Sequence, residues 1–292
     1  MDIILQALVS GILMGAIYGA IAAGLALIYG VMRIINFAHG ELLMIGMFIV
    51  YGGWQMVGID PYLYIVPAGI ILFGVGYGIQ KGLINPAIQK TTEREPLSIL
   101  LITAGLSMIL INVGILLLSD YPKMLQTPYS LETLKAGGIR ISVSRFISFT
   151  LSLVTIAVLY LILAKTELGR QMRATSQDRA AARLMGIDEP KIYSLSFAIG
   201  AAVTGVAGAL LAPIFFIKPS VGHVYVMKSF IIVVLGGMGS VPGALIAGLM
   251  VGIIESVGSL LMNPVYAEAM VFFLFILFLL IRPSGLLGKE RM

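Results

Sequence analysis

The chain has 292 residues, of which 59% are apolar, 11% are charged and none is cysteine, with a formal charge of +5. Mean hydropathy is +1.02, and soluble domains carry about a quarter charged residues. That excludes disorder, a coiled coil and an ordinary soluble globule. The lack of cysteine excludes disulfides and thiolate chemistry. Long unbroken apolar runs argue against a membrane β-barrel, which alternates polar and apolar residues. The expected class is an all-α polytopic integral membrane protein, a single transmembrane domain over residues 1–292. Its positive charge is read as basic cytoplasmic loops, with no nucleic-acid partner.

A spanning helix needs roughly 20 apolar residues. In chain order about eight segments qualify: Ile3–Tyr29, Gly40–Gly58, Tyr62–Ile84, Leu97–Ser119, Phe146–Ala164, Ile192–Ile217, Ser229–Met262 and Val265–Ile281. The first follows Asp2 without a basic leader or a small-residue cleavage site, so it reads as a span and not as a signal peptide. Gly11, Gly15 and Gly19 recur every four residues within it, as do Ala244, Gly248 and Gly252 near the end of the chain. Such spacing lets helix backbones approach closely.

Between the first two runs lies an irregular patch from Gly30 to Glu41. Asn36 suits a cap for a helix starting near Phe37, and Glu41 suits the positive end of that helix. The other reading gives Asn36, His39 and Glu41 a place on the transport pathway or its gate, because ionisable groups are costly inside a membrane. Asn112, Glu255 and Glu268 are the remaining polar groups in or beside the spans, and Glu255 is expected to face protein or water.

The connection Lys165–Lys191 holds six basic residues, and Lys81, Lys90, Arg94, Arg282, Lys289 and Arg291 accompany two other segments. Placing these on the cytoplasmic side puts the N-terminus outside, the C-terminus inside, and Asp120–Arg145 and Lys218–Lys228 outside. Ser229–Met262 must then begin and end on the external face. Its middle, Gly236-Gly237-Met238-Gly239-Ser240-Val241-Pro242-Gly243, breaks helix, so a bent or re-entrant element is expected there. Gly236, Gly237, Gly239 and Ser240 join the pathway candidates on one reading, and form a simple extramembrane turn on the other. Glycine-interrupted segments in both halves point to an internal pseudo-repeat.

Inside the basic connection, Ser176 to Gly186 reads as a short helix of two to three turns, capped by Ser176, closed by Gly186 and stopped by Pro190. Arg179 and Arg183 share one face, with Ala181, Leu184 and Met185 on an apolar side. This shape suits either docking into a soluble partner or a solvated connector. His39 and His223 are expected on opposite membrane faces, so no metal site and no catalytic residue is nominated. No G-x-x-x-x-G-K-[ST] loop is present, so ATP hydrolysis is not expected of this chain.

Three stretches, Gly24–Glu41 (GLALIYGVMRIINFAHGE), Gly169–Gly186 (GRQMRATSQDRAAARLMG) and Leu235–Glu255 (LGGMGSVPGALIAGLMVGIIE), resemble the branched-chain amino acid ABC importer permeases, in their LivH-like branch. The resemblance implies that Asp178, Arg179, Ala181, Arg183, Leu184 and Gly186 form a coupling helix that docks on an ATP-binding subunit. It also implies the partners: a second homologous permease, two ATP-binding subunits holding ATP and Mg, and an extracytoplasmic solute-binding protein, all in or on the cell membrane. Urea or short-amide importers look similar. A stand-alone secondary transporter or channel, using Glu41, Glu255 and Glu268, is the reading from another class.

Overall fold

The computed structural model describes residues 2–90, 96–127, 129, 132–136 and 138–288. Arg94, Lys289 and Arg291, and the side chain of Lys90, lie outside the described residues. Among the described residues, eight helical segments are long and apolar enough to cross a membrane. They fall close to the expected runs, and the described residues form helices and one hairpin.

Helix α1 (Asp2–Met32) is the axis of the bundle, exposed at its first turn and buried without interruption from Leu13 to Ile28. It packs antiparallel along α11 (Val241–Leu261). A Cβ on Gly11 would sit 2.7 Å from the Ile253 Cα, and one on Gly15 2.7 Å from the Gly248 carbonyl, so the small-residue spacing is there for backbone contact. On its other sides α1 meets α9 (Glu189–Leu211) and α6 (Val143–Lys165).

Residues 33–38 turn back beside α1, and α2 (His39–Val57) therefore starts inside the bundle. His39 is fully buried and its Nε2 lies 3.0 Å from the Ile21 carbonyl, about 16 Å up the α1 axis from Met32. A 3₁₀ turn Pro61–Tyr64 leads into α3 (Ile65–Ile79), a π turn at Gln80–Ile84 and the short α4 (Asn85–Lys90). Asn85 fastens this run to α9, its Nδ2 donating to Pro190 O at 3.1 Å and to Ser194 Oγ at 3.0 Å. Helix α5 (Pro96–Leu118) is mostly exposed along its length.

The stretch between α5 and α6 carries two strands, β1 (Thr133–Ala136) and β2 (Ile139–Ser142), paired antiparallel. Gln6 clamps this hairpin to the start of α1, bonding the Arg140 N–H and carbonyl together. Tyr129 stacks on Tyr62 and donates to Asp60 at 2.5 Å. Burial first, then that hydrogen bond, pushes the Tyr129 hydroxyl well above the usual tyrosine range.

Beyond α6 come α7 (Glu167–Gln177) and α8 (Arg179–Leu184), then α9, α10 (Val221–Gly236), α11 and α12 (Pro264–Ile281). The run Ser229–Met262 is two helices, not one, broken at Gly237–Ser240 as its glycines foretold. Gly237 and Gly239 hold φ of 98° and 91°, which a side chain would strain. Ser240 then caps α11 by accepting from the Gly243 N–H at 3.1 Å. Two expectations are corrected here. Helix α10 begins at Val221, so Lys228 lies within a helix and not in a loop. His223 likewise sits in the first turn of α10, whose Gly222 backbone touches Gly40; the two histidines do not lie on opposite faces.

Candidate functional site

The residues singled out from sequence fall into three places. The first is the tip formed by α7 and α8. The α7 helix runs through Ser176 to Gln177, so Asp178, and not Ser176, is the cap of α8: its Oδ1 accepts from Ala180 N at 2.8 Å and Ala181 N at 3.0 Å. Both residue types cap well, and the choice is set by Asp178 being the residue in extended conformation. Ser176 instead donates to the Arg173 carbonyl within α7. The helix is six residues long, shorter than expected.

Its end is a Schellman turn. Ile187 N donates to Ala182 O and Gly186 N to Arg183 O, with Gly186 at φ 80°. The turn projects Leu184 and Met185 outward, 89% and 81% exposed, while Ala182 packs inward. Arg179 and Arg183 converge on Glu189, whose side chain is 5% exposed: Arg179 approaches Oε1 at 4.0 Å and Arg183 binds Oε2. Arg179 Nη2 also donates to the Met32 carbonyl at 2.8 Å, and Arg33, at φ 57°, donates to Ser176 O at 2.9 Å. The tip is thereby tied to the end of the central helix. Sequence reading missed Glu189; its place one turn past the basic pair, as the first residue of α9, was the available signal.

The glycine break Gly236–Gly243 sits at this same end. Gly239 packs on Gly30, and Leu286 N and Leu287 N, in the segment after α12, donate to Leu235 O and Gly236 O. Around it lies a cavity of about 1110 Å³ lined by Gly30, Arg33, Arg173, Met238, Ser240 and Leu287, among others.

The second place is the start of α2. Asn36 Oδ1 accepts from Ala38 N at 3.0 Å, which closes a local turn ahead of the helix and does not cap it. The helix begins at His39, its N-cap is Ala38, and no side chain caps it, so the capping role expected of Asn36 is corrected. Glu41 occupies its first turn. Asn36 Nδ2, His39 Nδ1 and Glu41 Oε2 are buried without a hydrogen-bond partner among the described residues. Three such atoms in one turn carry a desolvation cost of about 1–3 kcal/mol each.

The third place is around Glu255, which does face protein: Lys228 Nζ lies 2.7 Å from its Oε1 and 3.7 Å from Glu268. Lys228 is the residue here that sequence reading left in a loop. Asn112 is set apart, exposed on α5 and bonded to its own Met108 carbonyl at 2.8 Å. Among the described residues no three His, Cys, Asp or Glu side chains form a metal-ligand cluster.

The family described as branched-chain amino acid transport system / permease component matches residues 7–280. The chain is 33% identical to the high-affinity branched-chain amino acid transport system permease protein BraD of Pseudomonas aeruginosa, covering 98% of this chain and 96% of that one. It is 32% identical, with the same coverage, to LivH of Escherichia coli K12, named as the permease protein of such a system. A shorter match, 33% over 44% of this chain and 30% of the other, is to the E. coli permease protein LivM. No solved structure matches. With the match running through α1 to α12, the chain belongs to the branched-chain amino acid transport system permease family.

Proposed function

We propose that the chain is one transmembrane subunit of an ABC importer for branched-chain or related amino acids, working beside a second, homologous permease. ATP and Mg are held by two separate ATP-binding subunits, and an extracytoplasmic binding protein delivers substrate. In this reading the whole sequence folds as a single permease domain in the cell membrane, with the N-terminus outside and the α8 tip and C-terminus in the cytoplasm.

The observation that carries the reading is the α8 tip. A six-residue helix offers two apolar side chains to solvent at its end and is anchored through Glu189, Met32 and Ser176 to α9, α1 and α7. Exposed apolar ends on a short anchored helix suit the groove of a soluble partner. A secondary transporter has no use for such a tip. Asp178, Arg179, Ala181, Arg183, Leu184 and Gly186 form the docking unit: Leu184 and Ala181 meet the ATPase, Asp178 and Gly186 set the ends, and the arginines transmit through Glu189. Nucleotide-driven closure of the ATPases then pushes on α1 and switches access, as coupling between two conformations requires. The break at Gly236–Ser240 and the α2 start, with Asn36, His39 and Glu41, are the places where backbone rearranges.

The test is uptake of radiolabelled leucine by cells carrying the complete system. The reading requires uptake that survives collapse of proton and sodium gradients and stops on ATP depletion. The opposite pattern overturns it in favour of a secondary transporter.

A further inference from the structure

A second cavity, of about 480 Å³, lies between α1, α6, α10 and α11, toward the end where α1 and α6 begin. Its size falls within the range of about 300–1,000 Å³ typical of small-molecule sites. Met14, Phe215, Val221 and Val224 give it an apolar lining. Its charged groups are arranged unevenly. Lys228 Nζ sits 2.7 Å from Glu255 and 3.7 Å from Glu268, and 5.2 Å over the ring of Tyr18. That cluster holds two carboxylates against one ammonium, and Glu255 Oε2 is buried with no hydrogen-bond partner among the described residues. The cluster is one cation short. Two further cations, Arg145 at the start of α6 and Lys218 ahead of α10, line the same cavity and have no ion-pair partner among the described residues.

A cavity lined by the Glu255 carboxylate, by two cations without an ion-pair partner and by apolar side chains fits a ligand that is dipolar at its head and apolar in its tail. We propose that it is a transit site for the zwitterionic amino acid, resting on the function proposed above. The substrate's α-ammonium meets the Glu255 carboxylate, whose enclosed Oε2 turns toward the cavity to receive it, and completes the Lys228 cluster. Its α-carboxylate faces Arg145 and Lys218, and its side chain lies on Met14 and Phe215. Charge-assisted hydrogen bonds at both poles discriminate against molecules that lack either. An ion pair that serves packing alone leaves neither an unpartnered oxygen nor two idle cations beside it.

The experiment uses the purified assembly of this chain with its partner permease and ATP-binding subunits, without the binding protein, and measures equilibrium binding of radiolabelled L-leucine. Expected is saturable binding, with 4-methylpentanoate (no ammonium) and isoamylamine (no carboxylate) competing at least about tenfold more weakly than leucine. Glu255→Gln weakens leucine binding about tenfold or more, and Arg145→Gln with Lys218→Gln weakens it several-fold without stranding any partner. Glu167→Gln, on the exposed face of α7, leaves binding unchanged. Absence of binding by the unaltered assembly, equal binding by these variants, or isoamylamine competing as well as leucine overturns the transit site. ATP-driven leucine uptake by the same assembly with its binding protein separates the two levels. Uptake without such binding rejects this site alone, and absence of uptake rejects the importer reading itself.

Discussion

At the residue scale, Gly186 and Glu189 make the α8 tip what it is. A Cβ on Gly186 meets no neighbouring atom, so any effect of substitution there comes from its φ of 80° alone. Asparagine tolerates that region and valine does not, at a cost of about 1–2 kcal/mol. Gly186→Val is therefore expected to cut ATP-driven uptake several-fold while Gly186→Asn retains most of it, as transport assays at matched expression will read. Glu189→Gln removes the charge on which Arg179 and Arg183 converge. Because both arginines are substantially exposed, the local loss is modest, about 1 kcal/mol. Limited proteolysis reads it directly: trypsin is expected to cut at Arg183 several-fold faster in the variant. That anchor escaped sequence reading because Glu189 looked like an ordinary acidic residue in a helix's first turn. Asp178 and Ser176 were indistinguishable as caps by residue type, and only the backbone at Asp178 decides between them.

At the element scale the seam between α1 and α11 is the feature most plainly written in the letters. Gly11, Gly15, Gly248 and Gly252 recur at four-residue spacing, and the structure uses each for backbone contact. Gly15→Leu is expected to force the two helices apart, at about 1–3 kcal/mol or more, and to lower the melting temperature of the detergent-solubilised protein. The break between α10 and α11 was legible too, since Gly-Gly-Met-Gly-Ser-Val-Pro-Gly cannot continue a helix. The start of α10 was not. A lysine ahead of a long apolar run reads as a loop residue under hydropathy rules, and it is Glu255 and Glu268 on neighbouring helices that account for Lys228 inside the bundle. Loss of the Ser240 cap by Ser240→Ala costs about 1 kcal/mol, a smaller shift in the same melting experiment.

At the scale of the whole molecule, crossing number and class follow from the length of the apolar runs, whereas the return of residues 33–38 alongside α1 depends on tertiary contacts that no local pattern encodes. The hairpin of β1 and β2 was equally hidden, in a stretch of mixed composition. Sidedness is open to direct measurement because the chain has no native cysteine. Single cysteines at Ser259 and Leu184 are expected to react with a membrane-impermeant maleimide from opposite sides, Ser259→Cys in intact cells and Leu184→Cys only in inverted vesicles. Labelling of both from one side rejects the orientation proposed.

The burial of α1 has a consequence for how the protein is made. The helix at the centre is translated more than 200 residues before its closest mate, α11. Until then its glycine face has only lipid or a temporary companion to cover it, and the bundle closes only when the last quarter of the chain has been inserted. A ribosome stalled before α11 therefore leaves the axis of the protein bare, and quality control in the membrane has an exposed glycine seam by which to recognise an unfinished chain.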